Sequence, residues 1–164
     1  CDFLLEIHAD MLFPKEWFTS LLEIDDDNTI VLEPHIFTTS KRSIGSEELE
    51  KLCSKHKEDK VYHKCLQVHP WLIKLNMLNK IGGYYDEIYS PQRCEDDDFV
   101  YRILSSGYDI KSTKKSWVLH YGGVTRSKML NDLGSDNESK FYQKFKITVK
   151  GMRDITQQHP CIGI

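Results

Sequence analysis

A chain of 164 residues is long enough for one domain with a sizeable core, and 40% apolar against 29% charged residues is ordinary for a globular protein. The net charge of −3 excludes a broad electrostatic footprint for nucleic acid, and no apolar run approaches the length of a membrane span. Five cysteines, Cys1, Cys53, Cys65, Cys94 and Cys161, are odd in number and irregular in spacing. They argue for free thiols in a reducing, cytoplasmic setting rather than a disulfide framework, with peripheral attachment to a membrane left open. The chain opens at Cys1 with no initiator Met and no signal peptide, so we expect it to be the later part of a longer protein.

Phe3, Leu4, Leu5 and Ile7 predict a short buried strand. Alternate side chains of a strand share a face, so Glu6, His8 and Asp10 fall on one side at its end. Pro14 suits the first turn of a helix whose core residues are Phe18, Leu21 and Leu22. Asp25-Asp26-Asp27-Asn28 reads as a turn, followed by a strand from Thr29 to Glu33 that leaves the sheet at Glu33-Pro34-His35. Residues 38–66 are polar and read as an insertion or variable segment. Within them Ser46 is the expected cap of a helix with Glu47 and Glu48 in its first turn and a narrow stripe of Leu49, Leu52 and Cys53. The apolar run from Val68 to Ile81 ends at Gly82-Gly83, which suits a tight turn or a close approach of backbone to a ligand. Glu95 opens a helix with Phe99, Val100, Ile103 and Leu104 toward the core and Gly107 at its C-terminal cap. Ile110 starts an extended segment, and Trp117 to Tyr121 a strand closed by Gly122-Gly123. Ser135-Asp136-Asn137-Glu138 fits a capping box for a last helix that buries Phe141, Phe145 and Val149. Its Lys140, Lys144, Lys146 and Lys150 read as a solvated face, a contact with anionic lipid or polymer being the alternative. Strands alternating with helices imply an α/β layer architecture, with residues 1–164 as a single domain.

Polar groups gather at three places: His8-Ala9-Asp10, Glu95-Asp96-Asp97-Asp98, and His120 ahead of Gly122-Gly123. The first and third lie at carboxyl ends of strands, where open α/β sheets form their ligand sites. Two imidazoles and a carboxylate can hold a divalent cation, and mixed nitrogen and oxygen donors suit Mn²⁺ better than Mg²⁺, with Zn²⁺ also compatible. The acidic run has a structural reading as well. The helix dipole favours each N-terminal carboxylate by roughly 0.3–1 kcal/mol, and Asp98 can pair with Arg102 at i,i+4. Four acids in succession repel one another, which shifts the balance toward a functional role such as a general base.

Together these motifs resemble the GT-A glycosyltransferases of family 2. His8-Ala9-Asp10 with Pro14 and Trp17 resembles the metal motif of that family. Gly82-Gly83-Tyr84-Tyr85-Asp86-Glu87, then Glu95-Asp96, Arg102 and Gly107-Tyr108, resembles its acceptor-side block, and His120 with Gly122-Gly123 the segment after it. The resemblance spans roughly residues 3–126 and implies a GT-A type mixed sheet with flanking helices, lacking the N-terminal βα units that bind the nucleotide base. It implies Asp10, His8 and His120 as metal contacts, Asp96 as catalytic base and Glu95 beside it at the acceptor. Trp71, Gly82, Gly83 and Asp98 would border the substrate, while Arg126 and Lys128 match phosphate binding by chemistry rather than by motif. The implied activity is inverting, metal-dependent sugar transfer from a nucleotide-sugar donor to a hydroxyl of a glycan, lipid-linked or other acceptor, with a homo-oligomer left open. The competing classes are a metal-dependent phosphoester hydrolase, which calls for more carboxylates near Asp10, and a non-catalytic interaction module of the same fold. Cys53, His56, His63, Cys65 and His69 also gather as a minor candidate for structural zinc, without the usual knuckle spacing.

Overall fold

Two long parallel strands, β3 (Thr29–Thr38) and β6 (Asp109–His120), form the centre of the sheet. The computed structural model describes residues 1–39, 44–65, 70–90, 93–121, 134–156 and 162–163. Around this pair lie β1 (Phe3–Glu6), β2 (Met11–Leu12), β4 (Val61–Tyr62), β5 (Trp71–Lys74) and β7 (Ile162–Gly163). The order is β1-β5-β3-β6-β2, with β4 also paired to β6 and β7 to β3. Because β5 is antiparallel to both β1 and β3, strands β1, β3 and β6 point the same way and end on one side of the sheet.

Helices α1 (Trp17–Leu22), α2 (Ser46–His56), α3 (Glu95–Ser105), α4 (Gly134–Phe145) and α5 (Val149–Asp154) flank this mixed sheet. The result is a general α/β architecture. Strand alternation divides the core. Val31 and Ile73 pack with Phe99, Val100 and Ile103 of α3, Phe141 of α4 and Met152 of α5. Leu32 and Leu72, on the opposite face, meet Leu21 of α1. Leu49 of α2 closes a third cluster over Phe37, Trp117 and Leu119. Each such buried side chain stabilises the fold by about 1.5–3 kcal/mol.

Several expectations change. The first strand is an edge strand with Leu4 and Leu5 exposed, not a buried one. Pro14 precedes α1 instead of opening it, and Gly45, not Ser46, occupies the cap of α2. The strand through Glu33-Pro34-His35 does not leave the sheet: all three residues are buried within β3. The ladder with β6 shifts register between Pro34 and His35, and such an irregularity is where a residue without an N–H is tolerated in a sheet interior. Within residues 38–66, α2 covers Phe37 and β4 pairs with β6. The final helix is two helices, broken near Lys146, which has a positive φ of 59°. α4 begins at Gly134, ahead of the Ser135 expected to cap it. The expected end of α3 is found: Gly107 has φ 81°, with Tyr108 N–H bonded to Ile103 O and Gly107 N–H to Leu104 O. That double bond pattern is a Schellman motif, which a left-handed glycine permits.

Candidate metal centre and the acidic helix terminus

His8 and Asp10 follow the last paired residue of β1. The chain then turns into β2, where Met11 pairs with His120, and the Asp10 carbonyl accepts a bond of 2.9 Å from Tyr121 N–H. This stitching brings the ends of β1 and β6 together. His120 Nε2 stands 3.3 Å from Asp10 Oδ1, and the rings of His8 and His120 have centroids 5.5 Å apart. One ligand atom from each of the three residues lies within 4.8 Å of the others, and all three are half-buried. The donor set, two imidazole nitrogens and a carboxylate oxygen, fits a divalent transition metal with open coordination positions.

The acidic terminus of α3 lies on the sheet face that packs with the helices of the largest core cluster. Its four carboxylates have separate surroundings. Asp97 is buried and receives two bonds of 2.9 Å from the Arg153 guanidinium of α5. Burial raises its pKa above the ordinary range even so, and Arg153 opposes the rise. Asp98 is wholly buried and accepts from Arg102 Nε at 2.5 Å, Lys144 Nζ at 2.6 Å and the Tyr89 hydroxyl at 3.0 Å. Glu95 and Asp96 are half-buried. Asp96 accepts a bond of 2.9 Å from the Tyr85 hydroxyl, which also lies 3.1 Å from Glu6 Oε1.

Arg102 connects this terminus to the glycine turn. Its Nη1 donates to the carbonyls of Ile81 at 2.9 Å and Gly83 at 2.7 Å, and its Nη2 to that of Tyr84. Gly82 and Gly83 have φ of 82° and 97°, which only glycine adopts without strain. The turn is thus set by its own backbone freedom and by a guanidinium that Asp98 holds in place.

Two of the residues expected to border the substrate are buried. Trp71 is fully buried, tilted against Phe99 and donating to Glu33 Oε2 at 3.1 Å. Asp98, also without exposed surface, anchors Arg102 and Lys144. Arg126, Lys128, Gly122 and Gly123 lie outside the described residues. Of the minor zinc candidates, His69 lies outside the described residues. Among the described residues, the metal-capable group contains none of Cys53, His56, His63 and Cys65. Burial pushes the Cys53 thiol up to about 11 and the Cys65 thiol further. Lys140 and Lys144 are not a purely solvated face: Lys140 pairs with Asp136, and Lys144 with Asp86 and Asp98.

Comparison with known proteins gives one partial likeness. The chain is similar to the succinoglycan biosynthesis protein ExoA of Rhizobium meliloti (strain 1021), at 27% identity over 128 residues. The match covers 73% of this chain and 38% of that relative, so the chain spans well under half of the protein it resembles. No protein-family profile matches the chain.

The sequence reading missed the Glu6–Tyr85–Asp96 contact and the Arg102 clamp. The first had a partial signal in strand alternation, since Glu6 pairs with Trp71 and so faces α3. The second had none, because its acceptors are backbone carbonyls. Buried Asn137, which donates to the carbonyls of Tyr89 at 2.9 Å and Arg93 at 3.3 Å, was read only as part of a cap.

Proposed function

We propose that this chain is the metal- and acceptor-side part of a GT-A type, family 2-like glycosyltransferase that inverts the sugar it moves. The grouping of His8, Asp10 and His120 at the ends of β1 and β6 carries the reading. A sugar transferase needs a cation and a base. The cation site would be these three residues, and the cation, Mn²⁺ for preference, would supply Lewis-acid neutralisation of a leaving diphosphate. Asp96, half-buried at the start of a rigid helix, takes the proton of the attacking hydroxyl, and Glu95 beside it helps to hold the acceptor. One base and a single displacement invert the anomeric centre. The partial likeness to ExoA, a protein named for succinoglycan biosynthesis, is in keeping with this reading.

A phosphoester hydrolase fits less well. Its cation sites call for several carboxylates, and the metal-capable group found among the described residues has Asp10 alone. No helix among the described residues is long and apolar enough to cross a membrane, which leaves the acceptor's setting open to either a glycan or a lipid-linked sugar.

The test is Mn²⁺-dependent turnover of a panel of sugar nucleotides by the complete gene product, with and without simple sugar acceptors. Asp10→Ala should abolish donor turnover and cation binding, measured by calorimetry. Asp96→Asn should retain cation binding and lose transfer by at least 10²-fold, the lower end of a general base's usual contribution. Cation binding that survives Asp10→Ala, or no donor turned over by the full-length protein, would reject the proposal.

A further inference from the structure

The Tyr85 hydroxyl lies between two carboxylates that belong to different elements. It is 2.9 Å from Asp96 Oδ1, at the start of α3, and 3.1 and 3.2 Å from the two oxygens of Glu6, at the end of β1. A phenol has one O–H and can donate fully to one acceptor at a time. Burial, then the charges of Asp96 and Glu6, hold the hydroxyl far above the ordinary tyrosine range, so it stays a donor at any working pH. Its place is fixed from several sides. The Tyr84 ring stacks on it at 4.1 Å, Phe99 of α3 meets it edge-on at 6.0 Å, and Arg102 holds the carbonyls of residues 81, 83 and 84 just ahead of it.

From this geometry we infer that Tyr85 and Glu6 are positioning residues for Asp96, with the Tyr85 hydroxyl a one-proton bridge that orients the Asp96 carboxylate and governs its proton uptake. The inference rests on reading Asp96 as the base. A proton on the bridge that is turned toward Asp96 stabilises the Asp96 anion; turned toward Glu6, it leaves the two anions facing each other. Charge state and orientation of Asp96 are thereby coupled to the strand that leads directly into His8 and Asp10. Asp97 in its own helix and Arg153 of α5 also act on Asp96 through their charges. Arg153 is itself engaged by Asp97 through two bonds of 2.9 Å.

Two variants separate this from a packing role, because the bridge predicts opposite signs. Tyr85→Phe keeps the ring and its stacking but removes the hydrogen bond to the anion, so Asp96 should protonate at higher pH. Glu6→Gln removes a like charge and leaves the hydroxyl to Asp96, so Asp96 should protonate at lower pH. Shifts of about one pH unit are expected in each direction, the usual size for a nearby charge or hydrogen bond. The readout is the pH titration of the Asp96 side-chain ¹³C resonance in the full-length protein, assigned by its loss in Asp96→Asn, with melting temperature as the folding control. Opposite shifts support the bridge. Shifts of the same sign, or none in a folded variant, overturn it. The titration needs no sugar donor, so opposite shifts in a protein that turns over no donor would retain the bridge while rejecting the transferase reading.

Discussion

Asp97 sits inside the protein with a charged partner, and burial still outweighs that partner. Its pKa stands above its ordinary 3.8 because desolvation exceeds the help of Arg153, whose side chain is half-exposed and screened by water. The native state therefore holds this proton more tightly than the unfolded chain does. The stability contributed is complete below about 3.8 and is lost as pH rises through the native midpoint. Asp97→Asn should remove this component, so that the variant's urea midpoint gains on the wild type's as pH rises from acid to neutral. Parallel curves for the two proteins would contradict the assignment. At this scale the sequence was informative only locally. The pairing of Asp98 with Arg102 follows from their i,i+4 spacing and is found at 2.5 Å. The pairing of Asp97 with Arg153 joins residues 56 positions apart and had no local signal.

At the scale of elements, α3 is joined to its surroundings by more than its apolar face. Phe99, Val100 and Ile103 supply the burial, as their spacing predicted. The rigid coupling to the glycine turn comes from Arg102, whose guanidinium reaches three backbone carbonyls while Asp98 fixes its orientation. Arg102→Met would keep much of the aliphatic packing and remove every one of those bonds. It would also leave a wholly buried Asp98 with Lys144 as its remaining cation. Breaking a buried pair by deleting one partner costs about 3–5 kcal/mol, and Lys144 places this case near the lower end. Urea unfolding should show a loss of about 3 kcal/mol, and a loss under about 1 kcal/mol would show that the clamp is not a major restraint. The two glycines were legible as a turn from sequence, whereas the guanidinium that sets the turn was not, because its partners carry no side-chain signature.

For the molecule as a whole, the alternation of strands and helices was enough to give an α/β architecture, and the strand ends that meet at His8, Asp10 and His120 were placed by the same reasoning. The position of β1 was not, because a run such as Phe3-Leu4-Leu5 reads as buried whether or not anything lies beside it. In the described structure β1 pairs with β5 along one side only and ends the sheet order. Leu4, Leu5 and Ile7 are 37%, 41% and 48% exposed, while Glu6 between them is engaged by Tyr85. An apolar strand at the margin of a sheet is a template for pairing with another strand. The 164-residue chain prepared alone should therefore self-associate along this edge. Leu5→Lys should suppress that association: a lysine on an edge strand opposes edge-to-edge pairing. Its cost to folding should be within about 1 kcal/mol, since Leu5 is already substantially solvated opposite Leu72. Sedimentation equilibrium of the two chains gives the comparison. A weaker association by about tenfold or more, at an unchanged melting temperature, is the expected result. Equal association would mean that contacts between copies form elsewhere, and that the exposed leucines of β1 are tolerated at the sheet margin without pairing.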